Sequence, residues 1–91
     1  MTYAIIRTSQ FRKDVKLLKK RGLDMQKLKD VLNLLAEGRE LPSVYRDHGL
    51  SGNYAGFREC HITSDWLLIY AIIEDDLVLV LSRTGTHSDL F

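Results

Sequence analysis

Apolar and polar positions alternate along this chain in two different periods, and the change of period marks the elements. "TYAIIRT" is a short β-prone run that predicts a strand. In "QFRKDVKLLKKRG", Phe11, Val15 and Leu18 recur at spacings of four and three, and Gly22 falls on the same side. Arg12, Lys13, Lys16, Lys19 and Lys20 fill the rest of the wheel, which predicts an amphipathic helix with a basic outer surface and Ser9 as its N-cap. Gly22 stops it. Asp24 then caps a second helix, with Met25, Leu28, Val31, Leu32 and Leu35 as its stripe and Gly38 at its C′ position. So short a connection predicts an antiparallel helical hairpin.

From Arg39 to Gly52 the pattern breaks around Pro42, Gly49 and Gly52, predicting a loop of about a dozen residues, long enough to carry function. "YAGFRECHI" resumes a period of two, with Phe57, Glu59 and His61 on one face and Arg58, Cys60 and Ile62 on the other. "TSD" turns the chain into "WLLIYAII", apolar on both faces as a central strand must be. "EDD" turns it again into "LVLVLSR", and "TGTHSDLF" forms a polar tail ending on Phe91. The order is βααβββ, an α+β fold. Its last three strands form an antiparallel meander, with one face under the helical hairpin and the other open.

A chain of 91 residues has room for one core, so residues 1–91 are expected to be a single domain. A hydrophobic fraction of 45% argues against disorder, and a lone Cys60 excludes an internal disulfide and a Cys-only zinc site. The first residues lack the basic start and apolar stretch of a leader, and the longest apolar run, Trp66 to Ile73, is too short for a membrane helix. A soluble, cytoplasmic protein is expected. Charge changes the picture more. Residues 1–46 hold 11 basic and 5 acidic side chains, and residues 47–91 hold 2 and 7, with all three histidines in the acidic half. Lys13, Lys16 and Lys20 are either a solvated helix face or a footprint for a phosphate backbone.

The candidate chemistry gathers at strand ends. His61 leaves one strand, Asp65 and Trp66 enter the next, Arg83 ends the last, and His87 follows it. In a meander these ends coincide, so the five residues converge, while strand reasoning leaves His48 unplaced. Three chemistries are open. Imidazoles with Asp65 suit zinc, but the usual paired ligand spacings are missing. Cys60 and His61 would form a nucleophile pair, but strand neighbours point to opposite faces. Metal-free cleavage of an RNA phosphodiester needs a base, an acid and a cation, which histidines and Arg83 supply. Trp66 would stack an unpaired base if exposed, or else belongs to the core.

"YRDHGLSGNYAGFRECHITSDWLLIY" and "RTGTHSDLF", together with the hairpin "DVKLLKKRGLDMQKLKDVLNLL", resemble the YafQ branch of the RelE/ParE superfamily of bacterial toxins. The resemblance spans nearly the whole chain. It implies a RelE-like βααβββ fold and a type II toxin that cuts messenger RNA in the ribosomal A site without metal or other cofactor. It also implies a cognate antitoxin of the DinJ/RelB kind and no membrane partner. The family's functional positions fall on His48, His61, Asp65, Trp66, His87 and Phe91, with His87 the leading proton-transfer group and Arg83 the phosphate-stabilising cation. Other superfamily members poison targets such as gyrase without nuclease chemistry, which is the alternative reading.

Overall fold

In the computed structural model, which describes residues 2–91, strand β1 (Ala4–Arg7) leads into helices α1 (Ser9–Lys20) and α2 (Met25–Ala36). The stripes read from the sequence face inward, with Phe11, Leu18, Leu28, Val31 and Leu35 buried. Asp24 caps α2 as expected, accepting from the Gln26 amide. The α1 cap is Thr8 instead of Ser9: its hydroxyl accepts from Phe11 N at 3.0 Å and donates to the Ser82 carbonyl at 2.9 Å. Thr8 is favoured because one side chain then serves both the helix end and the sheet edge. Gly22 and Gly38 follow the two helices with φ of +82° and +75°, the left-handed turn that a side chain would resist.

The remaining elements are β2 (His48–Gly49), β3 (Arg58–Thr63), β4 (Trp66–Ile73), β5 (Val78–Gly85) and α3 (His87–Leu90), with single 3₁₀ turns at Ser43–Tyr45 and Gly52–Tyr54. The sheet order is β1-β5-β4-β3-β2. β3, β4 and β5 form the expected antiparallel meander, and β1 joins β5 in parallel. Two elements go beyond βααβββ: the two-residue β2 inside the expected loop, and the four-residue α3 inside the expected tail. Both are too short to show a period.

The helices cover one face, where Phe11, Leu18, Leu28, Val31 and Leu35 pack on Tyr3, Cys60, Trp66, Leu68, Tyr70, Leu79 and Leu81. Cys60 is fully buried there, and burial pushes its thiol up to about 12. The open face carries a small second core, Leu67, Ile69 and Leu90, flanked by Leu50, Tyr54 and Phe57. A bulge decides what else lies on it. Ile69 pairs with Arg83 but Tyr70 with Leu81, so Ser82 is an extra residue. Strict alternation would put residue 83 beside Leu79 and Leu81 in the helical core; the bulge turns Arg83 to the other side. Among the described residues no helix is long and apolar enough to cross a membrane.

Trp66 is 2% exposed. It lies in the helical core and its Nε1 donates to Thr84 Oγ1 at 2.9 Å, while that hydroxyl donates to the Leu67 carbonyl at 2.8 Å. The base-stacking role expected for Trp66 is therefore corrected: as the first residue of β4 it shares the face of Leu68 and Tyr70, and no base can reach its ring. Thr84→Val strands the indole N–H in the core. It should lower the unfolding free energy by about 1–3 kcal/mol, read from urea denaturation, with the fold retained in the amide NMR spectrum.

Candidate active site

β2 and its neighbour β3, at one edge of the sheet, bring two of the histidines together. β2 pairs with β3 so that His48 lies opposite Glu59, which shares its face with His61 two residues on. The chain reaches β2 through a fixed turn. Arg46 adopts φ +48°, uncommon for a residue with a side chain, and its carbonyl accepts a 2.7 Å hydrogen bond from His48 Nδ1. Asp47 accepts from Arg58 Nη2 at 3.1 Å and from the Tyr70 hydroxyl, pinning the loop to the sheet.

His48, His61 and His87 stand in a row, with ring centroids 6.3 Å and 5.8 Å apart. Glu59 lies between the first two. Its Oε1 is 3.6 Å from both Nε2 atoms, and the residue is 7% exposed. A carbonyl can only accept, so the Arg46 contact assigns the Nδ1 proton to His48. Glu59 thus sets one carboxylate oxygen against the Nε2 edge of both rings.

α3 delivers His87 from β5. Asp65, in the β3–β4 turn, accepts from His87 Nδ1 at 2.7 Å and from the His87 amide at 3.2 Å. These bonds hold the Asp65 carboxyl below its ordinary range. They also fix the proton on Nδ1 and leave Nε2 free for chemistry. Four residues make no stable helix alone, so α3 depends on its anchors. Thr86 and Asp89 form a reciprocal capping box, and Leu90 is buried in the second core. Asp89 also accepts from both Arg21 Nη atoms, at 2.7 Å and 3.1 Å. Gly85 permits this fold-back, since a Cβ there would sit 2.9 Å from the Asp89 Cβ. Phe91 follows at 65% exposure, its ring edge-on to Tyr54 at 5.9 Å.

The expected convergence of His61, Asp65 and His87 is thus present, and β2 adds His48. Arg83 sits on the same face, in register with Ile69 and Glu59, but its Nε and Nη2 donate to the buried Asp14 at 2.8 Å and 3.2 Å. Lys13, Lys16 and Lys20 are exposed on α1, in the helical layer, and do not line the histidine row. Sequence reasoning missed Glu59, Tyr54, Asp14 and Asp89 as members or supports of the site. For Glu59 a signal existed, because it alternates with His61. Among the described residues no group of three or more His, Cys, Asp and Glu side chains is placed to hold a metal ion.

Asp89 supplies a pH-dependent anchor. The Arg21 hydrogen bonds, followed by the Thr86 amide, lower its carboxyl to about 2. A depressed carboxylate stabilises the fold above its unfolded value of about 3.9 and loses that contribution as pH falls toward 2. Wild type should therefore lose more stability than Asp89→Asn between about pH 4 and 2, compared by urea midpoints at each pH. Parallel curves would remove Asp89 from this role.

The family model described as "Bacterial toxin of type II toxin-antitoxin system, YafQ" matches residues 3–91. The mRNA interferase toxin YafQ of Escherichia coli strain K12 is 47% identical over 85 residues, covering 92% of this chain and 90% of that protein. The toxin in the E. coli DinJ-YafQ toxin-antitoxin complex superposes with a TM-score of 0.90 at 44% identity, covering 100% of this chain and 99% of that one. A metal-bound toxin from Helicobacter pylori superposes at a TM-score of 0.91 with 42% identity and full coverage of both chains.

Proposed function

From the premise that this chain belongs to the YafQ family of type II toxins, with mRNA interferase activity, we propose that its histidine row cuts messenger RNA on the ribosome by metal-independent acid–base chemistry. The enzyme is an endoribonuclease and the toxin half of a toxin–antitoxin pair. Its silencing partner is a DinJ-like antitoxin, and its working compartment is the cytoplasm. The observation that carries the catalytic reading is His87, with Nδ1 on Asp65 and a ring 5.8 Å from that of His61.

The reaction follows from these groups. A base in the row removes the proton from a 2′-hydroxyl, and the freed oxygen attacks the adjacent phosphorus. An acid returns a proton to the 5′-oxygen as the P–O bond breaks, leaving a cyclic phosphate and a new 5′-hydroxyl. His87 is the leading proton-transfer group, with Asp65 stabilising its ring and His48 and His61 as supporting acid, base or phosphate ligands. Asp14 holds Arg83 by two of its nitrogens, and Nη1 remains to stabilise the charge gathering on phosphorus. Phe91, exposed against Tyr54, replaces Trp66 as the aromatic that orders the RNA. Lys13, Lys16 and Lys20 give the helical layer a phosphate-binding surface for ribosomal RNA.

His87→Ala should keep the fold and lower cleavage of translated message by about 10²–10⁴, measured by mapping cut ends on translating ribosomes. Wild-type cleavage should persist in a chelator that strips transition metals but leaves magnesium for the ribosome. Full toxicity of His87→Ala would remove it from catalysis. Activity lost in chelator and restored by added metal would overturn the metal-independent mechanism.

A further inference from the structure

Beyond the row, at the end where His61 stands, the surface opens into a cleft of about 470 Å³ between the start of α2, the first 3₁₀ turn and the end of β3. His61 is a wall of both, so the cleft is continuous with the site. We propose that it is a nucleotide subsite, holding the base and phosphate next to the cut on the His61 side. This deepens the reading above and rests on it.

Four features suit a single-stranded nucleotide. Lys27 and Arg46 bring two cations to the cleft. Asp30, the acid among its lining residues, already accepts from Gln26 Nε2 at 2.9 Å. Tyr45 offers an aromatic ring, half-buried against the core, for one base to stack on. Thr63 and Ser64 supply hydroxyls that donate or accept, and so bond a base edge of either polarity. The sheet supplies backbone as well. β2 begins at His48, opposite Glu59, so antiparallel β3 has no outer strand from His61 onward. Phe57 turns its carbonyl toward the β2 side, where it accepts from Leu50. Backbone direction repeats every second residue, so the N–H and C=O of His61 face away from β4, toward the first 3₁₀ turn.

The subsite would act on affinity and on the choice of cut, leaving proton transfer alone. Tyr45→Leu keeps apolar packing but removes the stacking face, and Lys27→Ser removes one cation from an exposed helix position. The probe is a single-stranded trinucleotide carrying a 2′-deoxy sugar at the cut, titrated into the protein by NMR. Amide shifts are expected at Tyr45, Thr63 and Ser64, with binding about tenfold weaker in Tyr45→Leu and a smaller loss in Lys27→Ser. On translating ribosomes Tyr45→Leu should raise KM about tenfold with kcat held, and redistribute the cut sites. Probe shifts confined to other surfaces, or a Tyr45→Leu variant with wild-type KM and cut sites, would overturn the subsite while leaving the nuclease intact. A wild-type protein that cuts no translated message would instead sink the nuclease reading itself.

Discussion

One buried carboxylate ties the two layers together. Asp14 lies on the inner face of α1, 7% exposed, three residues from Phe11 and four from Leu18. It accepts from Arg83 Nε and Nη2 and from the backbone N–H of Thr84. Past Arg7, β1 no longer covers β5, so this edge would otherwise present unpaired backbone groups. Burying a charge is costly, and removing one partner of such a pair typically costs about 3–5 kcal/mol. The arrangement is tolerated because four donors converge on the carboxylate, the fourth being Gln10 Nε2 at 3.1 Å. Thr84, held at its N–H by Asp14, passes the constraint through its hydroxyl to Trp66 and Leu67. The strand end that launches α3 and His87 is thus fixed from the helical side.

The site face is the less buttressed of the two. Among the described residues its core has three buried members, against thirteen under the helices. It is held as much by polar anchors as by packing: Asp65 on His87, Asp89 on Arg21, Asp47 on Arg58 and Tyr70. Such an arrangement leaves His48 and His87 exposed at the two ends of the row, with His61 mostly buried between them. Local opening of α3 would cost less than opening the sheet.

How much of this was legible follows from element length and from faces. The two helices, the meander and the alternation of Glu59 with His61 are long-range patterns and read directly. β2 and α3, at two and four residues, are shorter than any period, so His48 could be placed only through family resemblance. Trp66 heads a strand buried on both faces, where alternation is silent about which side a residue takes. Arg83 was placed at the correct sheet end, but its face depends on one bulged residue, Ser82, that no local pattern announces. Asp14 stands three residues after Phe11 and four before Leu18, on the apolar side of the helix, so its inward position follows from the same spacing.

Cys60 carries a consequence of another kind. Its thiol sits at the centre of the helical core, and burial together with the charges of Asp47 and Glu59 keeps it protonated through the physiological range. Only the thiolate reacts readily, so the folded chain should be inert to alkylating reagents and oxidants. Modification then requires the sheet and the helical hairpin to separate. The molecule thereby contains its own clock for global unfolding: the rate at which a small thiol reagent is consumed counts excursions of the core and is blind to motions of the histidine row.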